Sequence, residues 1–187
     1  MAIPHTLENL ERYHNESIQF FGSELMLLKE VIPKIAKDRL AKAAVLLISC
    51  VQTGEALLQL SAQINLHTRE TAMLARAFME TITNFCYVGV CDEREYRAFI
   101  LHPIYKHYHN VGLPKIEDDL NHITEIIAER KKKQERLKSI PIVKEALKMF
   151  SETKTNLNWT KKNLNQRIEV LRKWGKFMDV FFYINKI

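Results

Sequence analysis

Apolar residues recur along this chain at spacings of three and four, and no useful stretch alternates with period two. Three and four are the spacings that fall on one side of a helix, so the pattern predicts helices and no sheet. The predicted helices cover about 6–31, 34–62, 67–90, 92–110, 115–138, 142–153, 163–174 and 176–186. Pro33 closes the first and Gly89 the third. An Asn-Val-Gly-Leu-Pro turn ends the fourth, Ser-Ile-Pro at 139–141 ends the fifth, and Gly175 separates the last two. These are the residues that stop helices, by lost donors or by backbone freedom.

The second helix reads as the centre. Leu40, Ala44, Leu47, Val51, Gly54 and Leu58 make one stripe, and Leu46, Cys50 and Leu57 make another beside it. A helix apolar on most sides is enclosed by neighbours. The expected fold is therefore all-α, an up-and-down bundle of four to five long helices with shorter C-terminal helices. The expected organisation is a single domain over 1–187, with a bundle core at 1–138 and helices 139–187 packed on it.

Some polar residues fall in apolar places. Glu55 lies about 40° from the Val51/Leu58 line at ~100° per residue. An unpaired buried carboxylate is costly, so it needs a cation. The third helix has a core stripe of Leu74, Ala75, Phe78, Ile82, Phe85 and Cys86, and an opposite face of Arg76, Glu80, Thr83, Asn84 and Tyr87. Arg76 and Glu80 are four apart and neighbours. The reading is a buried Glu55–Arg76–Glu80 ion network that fixes register; its functional alternative is a pocket for a polar ligand.

Two stretches, LARAFMETITNFCYV at 74–88 and NWTKKNLNQRIEVL at 158–171, resemble a bacterial all-helical family of unassigned function, domain-of-unknown-function family 5677. The first is similar to its third-helix motif and the second to its Trp-Ser/Thr-x-Lys element. The resemblance covers roughly 40–180. It implies an all-helical domain, marks Arg76, Glu80, Trp159 and Lys161 as pattern positions, and implies no activity. Members continue past the last helix into a segment with a Ser and a His. This chain ends at FFYINKI, so any function lodged there is expected to be missing.

YRAFILHPIYKHYHN at 96–110 holds Arg97 and His102 in an Arg-x4-His spacing. That resembles the signature of metal-free helical-bundle ribonucleases, with His as general acid or base and Arg stabilising phosphate charge. On a straight helix the two are about 140° apart. Pro103 is expected to kink the helix and bring them toward one groove. The alternative is a packing helix with histidines at its rim. No metal site is expected: His107 and His109 fall on nearly opposite faces, and Cys86-x4-Cys91 is not a metal knuckle. No cofactor motif occurs either.

Composition adds boundaries. With 187 residues, 47% hydrophobic and 27% charged, the chain is an ordinary globular one and not a disordered one. Five Gly and five Pro suit few, long elements. The polar N-terminus is no signal peptide, and the apolar run at 43–51 is well short of the ~20 residues that span a bilayer. No membrane association is expected. An odd count of three cysteines suggests reduced thiols in a cytoplasm.

Charge is uneven. Residues 1–129 carry 12 Lys+Arg and 17 Asp+Glu, a net of −5, and residues 130–187 carry 16 and 5, a net of +11. A basic final third suits a polyanion. ERKKKQERLK at 129–138 surrounds its helix with charge, as a projecting, solvated end does. Lys161, Lys162, Arg167, Arg172, Lys173 and Lys176 sit near Trp159, Trp174 and three asparagines. Basic, aromatic and amide groups together suit RNA or single-stranded nucleic acid. They suit a buried Trp159 anchor equally, with Asn163 capping the next helix. In the last helix, Phe177, Val180, Phe181, Ile184 and Ile187 share one side while Met178 and Phe182 point elsewhere, which suggests a partner protein or a homodimer there. The expected function is a non-enzymatic helical module binding nucleic acid or a partner protein, in a bacterial defence or mobile-element system. The alternatives are an endoribonuclease using Arg97 and His102, and a structural subunit of a larger assembly.

Overall fold

The computed structural model describes residues 6–36, 38–62, 68–111, 123–150 and 158–174. Every regular element among them is helical: α1 (Leu7–Val31), α2 (Asp38–Ser61), α3 (Thr68–Val90), α4 (Glu93–Asn110), α5 (Ile123–Lys138), α6 (Pro141–Phe150) and α7 (Leu164–Arg172). A single 3-10 turn at Ile32–Lys34 carries Pro33 and ends α1. The fold is the all-α bundle that the spacing predicts. The helix expected at 176–186 lies outside the described residues. The chain divides into two compact units, Met1–Val90 with Leu164–Ile187, and Cys91–Asn163. The divisions fall at 90/91 and 163/164.

The first unit packs α1 and α3 on α2, and α7 on α3. Ala43, Leu47, Cys50 and Val51 are its buried line. Gly54 lies under the buried Leu25 of α1, and a Cβ there would come within 2.6 Å of Leu25 Cδ2. The missing side chain lets the two helices approach closely. Phe21 of α1 meets Phe78 of α3 edge to face at 5.3 Å. Burial raises the Cys50 thiol to about 11, with the neighbouring Cys86 adding to it. Val45 and Ile48 remain exposed, so α2 is not enclosed on all sides as its composition suggests. Over Arg39–Ser61 this helix is long and apolar enough to cross a membrane, by length and composition, although its longest unbroken apolar run is short.

The polar face of α3 is buried toward its C-terminal end. Thr83 and Tyr87 are almost fully enclosed, because α7 lies on that side with Ile168 and Leu171 buried. The expected Glu55–Arg76–Glu80 network is corrected here. Glu55 pairs with Lys29 of α1, while Arg76 is exposed and pairs with Glu80 alone at 3.0 Å. Helical geometry gives the angle at which Glu55 emerges; it does not say which neighbour supplies the cation.

The second unit is built on α4 and α6. Ala98, Leu101, Ala146 and Phe150 form its core, with Ile104, Tyr105 and Met149 packed against them. α4 runs through Pro103 as one helix to Asn110. Proline removes one helical hydrogen bond. Burial of Leu101, His102 and Tyr108 on either side of it holds the helix together against that loss. At the end of α4, Arg130 Nη2 donates to the His109 carbonyl at 2.8 Å and Gln134 Nε2 to the Tyr108 carbonyl at 3.3 Å. These carbonyls lie in the last turn, where helical partners run out. The basic run on α5 therefore docks through one side, and Lys131, Lys132 and Lys133 stay exposed.

Candidate functional site

The start of α4 organises a concavity. Asp92 is the N-cap, and its Oδ1 accepts from the Glu95 amide at 2.8 Å. Asp-x-x-Glu is a helix-starting pattern. Here the Glu95 carboxylate also accepts from the Thr160 hydroxyl and from Lys162 Nζ, each at 2.8 Å. Thr160 Oγ1 in turn accepts from the Lys162 amide at 3.2 Å. One carboxylate thus fixes a turn 65 residues away in sequence. Next to it Trp159 meets Phe99 edge to face at 5.3 Å.

The result is a cleft of about 320 Å³ lined by the polar Arg94, Asn158, Lys161 and Lys162, by Trp159, and by the apolar Ala98, Met149 and Phe150. Arg94, Asn158 and Lys161 are exposed and Trp159 is half-buried. The lining sets Arg94, Lys161 and Lys162 against Asp92 and Glu95, three positive charges to two negative. Such a site can seat a flat aromatic ring beside Trp159 and an anionic group between Arg94 and Lys161.

Arg97 and His102 both face α6. Arg97 makes a two-pronged pair with Glu145, Nε to Oε1 at 2.7 Å and Nη2 to Oε2 at 2.6 Å. Those hydrogen bonds raise the guanidinium pKa and lower that of the Glu145 carboxyl. His102 is buried with its ring 5.4 Å from that of Phe150. Arg97 is thus committed to Glu145 and His102 to the core, and neither lines the cleft at the start of α4.

The C-terminal basic set is divided. Lys161 and Lys162 belong to the second unit, and Arg167, Arg172 and Lys173 to the first. Arg167 is turned inward. It donates to Asn84 Oδ1 of α3, and burial lowers its pKa while Glu80 and Tyr87 oppose the shift. It is half-buried and holds α7 to α3. Arg172 is exposed and lies 3.9 Å from Glu169; Lys173 is exposed. Lys176, Asn156 and the apolar residues from Phe177 onward lie outside the described residues. Among the described residues no group of three His, Cys, Asp or Glu could hold a metal ion.

Sequence reasoning missed Arg94, Glu95 and Thr160. The Asp92-Glu-Arg-Glu95 start of α4 offers a capping signal, but nothing local marks Thr160 as a partner of Glu95. No protein-family model matches the chain, and neither a curated protein nor a solved structure is significantly similar to it.

Proposed function

We propose that the chain is a non-enzymatic helical module that binds single-stranded nucleic acid through the cleft at the start of α4. The observation that carries this reading is the grouping of Trp159, Asn158, Arg94 and Lys161 around about 320 Å³ of space. A base stacks on the indole, an interaction that tolerates any base. Arg94 and Lys161 take the flanking phosphates, and the Asn158 amide offers a donor and an acceptor to a base edge. Arg172 and Lys173 are the remaining exposed members of the basic set. The resemblance to domain-of-unknown-function family 5677 belongs to the same proposal, as does a role in a bacterial defence or mobile-element system. So does a cytoplasmic setting, which the three free cysteines support.

The ribonuclease reading has less support, since Arg97 is committed to Glu145 and His102 is buried. The test is fluorescence anisotropy of labelled single-stranded RNA and DNA at a series of salt concentrations. Affinity falls linearly with salt on a log–log scale, by a slope of about 0.7 per phosphate contacted. Arg94→Glu combined with Lys161→Glu abolishes binding. Lack of binding by the unmodified chain at low salt, or full affinity in the double variant, defeats the proposal.

A further inference from the structure

The inward side of α1 is a stripe of His14, Ile18, Phe21, Leu25 and Leu28, all buried or half-buried. A second stripe lies about 100° round the same helix, one residue offset from the first. It runs Leu10, Tyr13, Ser17, Phe20, Glu24, Leu27 and Val31, with alternating steps of three and four. Its apolar members are between 39% and 68% exposed. Steps of three and four sustained over three heptads are the seam of a coiled coil, whose complement is another helix of the same period. Ordinary surface residues do not keep that register.

We infer that this seam pairs with α1 of a second copy of the chain, as an antiparallel two-stranded coiled coil. Length and area fit. The 25 residues of α1 make a rod of ~37 Å. Leu7 adds exposed apolar surface at one flank of the seam. The five large apolar seam residues, roughly half exposed, put about 500 Å² on each copy, to which Leu7, Ser17 and Glu24 add. A standard interface uses ~800 Å² per partner and weaker ones less, which suits a dimer in the micromolar range. The polar seam residues decide the direction. A parallel pair sets Glu24 against its own copy inside the seam, where like charges repel. The antiparallel pair places Leu10 opposite Leu27, Tyr13 opposite Glu24 and Ser17 opposite Phe20. The Tyr13 hydroxyl then donates to the Glu24 carboxylate, and leucine meets leucine.

Sedimentation equilibrium of the full chain tests the pairing. The unmodified chain sediments as a dimer in the micromolar range, and Phe20→Glu sediments as a monomer with unchanged helical circular dichroism. Leu10→Glu serves as a second variant with the same expected result. A monomeric unmodified chain, or a dimer that persists in both variants, overturns the inference. Orientation is read by air oxidation of Leu10→Cys and Leu27→Cys chains, with the unmodified chain alongside. A cross-linked dimer that forms only when the two are mixed is the antiparallel result. Cross-linking of Leu10→Cys with itself overturns the antiparallel arrangement.

Discussion

Replacing Glu95 by alanine removes the acceptor that ties Thr160 and Lys162 to α4. The two contacts carry unequal weight. The Lys162 side chain is 37% exposed and can turn to water, so its share is that of a partly exposed ion pair, about 0.5–1 kcal/mol. Thr160 is buried, and its hydroxyl loses its charged acceptor where water replaces it poorly, at about 1–2 kcal/mol. Glu95→Ala is therefore expected to destabilise the fold by about 1.5–3 kcal/mol. Thr160→Val removes the donor with little change of shape and is expected to cost about 1–2 kcal/mol. In the double variant the two losses are not additive, because both single changes break the same bond. Urea unfolding followed by circular dichroism reads all three variants, and tryptophan emission reports release of the turn around Trp159. A Glu95→Ala chain that unfolds within about 0.5 kcal/mol of the unmodified one refutes the reasoning.

Two further predictions concern packing and charge. Gly54→Ala gains up to ~1 kcal/mol of helix propensity but drives a Cβ into Leu25, where overpacking costs about 1–3 kcal/mol; a net loss in thermal stability is expected, relieved when Leu25→Ala is added. The lowered Glu145 pKa means that the Arg97 pair contributes stability above the ordinary glutamate range, and that this contribution is lost as pH falls through the lowered folded value. Arg97→Ala is thus expected to lower the unfolding midpoint at pH 7 and to converge with the unmodified chain in strong acid; an equal gap at both pH values contradicts this.

Helix positions were legible because their stops are local. Pro33 ends α1 and Gly89 lies one residue from the end of α3, each by its own backbone chemistry. Pro103 does not stop α4, because Leu101, His102 and Tyr108 are buried around it, and that burial is not visible in a helical wheel. The same limit hid the partner of Glu55 and the inward turn of Arg167. The wheel showed both as polar groups at particular angles, but Lys29 and Asn84 reach them from other helices. Trp159 was legible as an anchor, since it packs on Phe99. The cleft beside it was not, because it depends on Glu95 holding a turn far along the chain.

The most direct test of the cleft uses Trp159 as its own reporter. Trp174 is 71% exposed, so Trp174→Phe leaves a folded chain with one tryptophan. Titrating it with an unlabelled single-stranded oligonucleotide is expected to quench Trp159 emission, along the same saturation curve that anisotropy gives for the labelled strand. An oligonucleotide that binds by anisotropy while Trp159 emission stays constant would contradict the placement of a base against this indole.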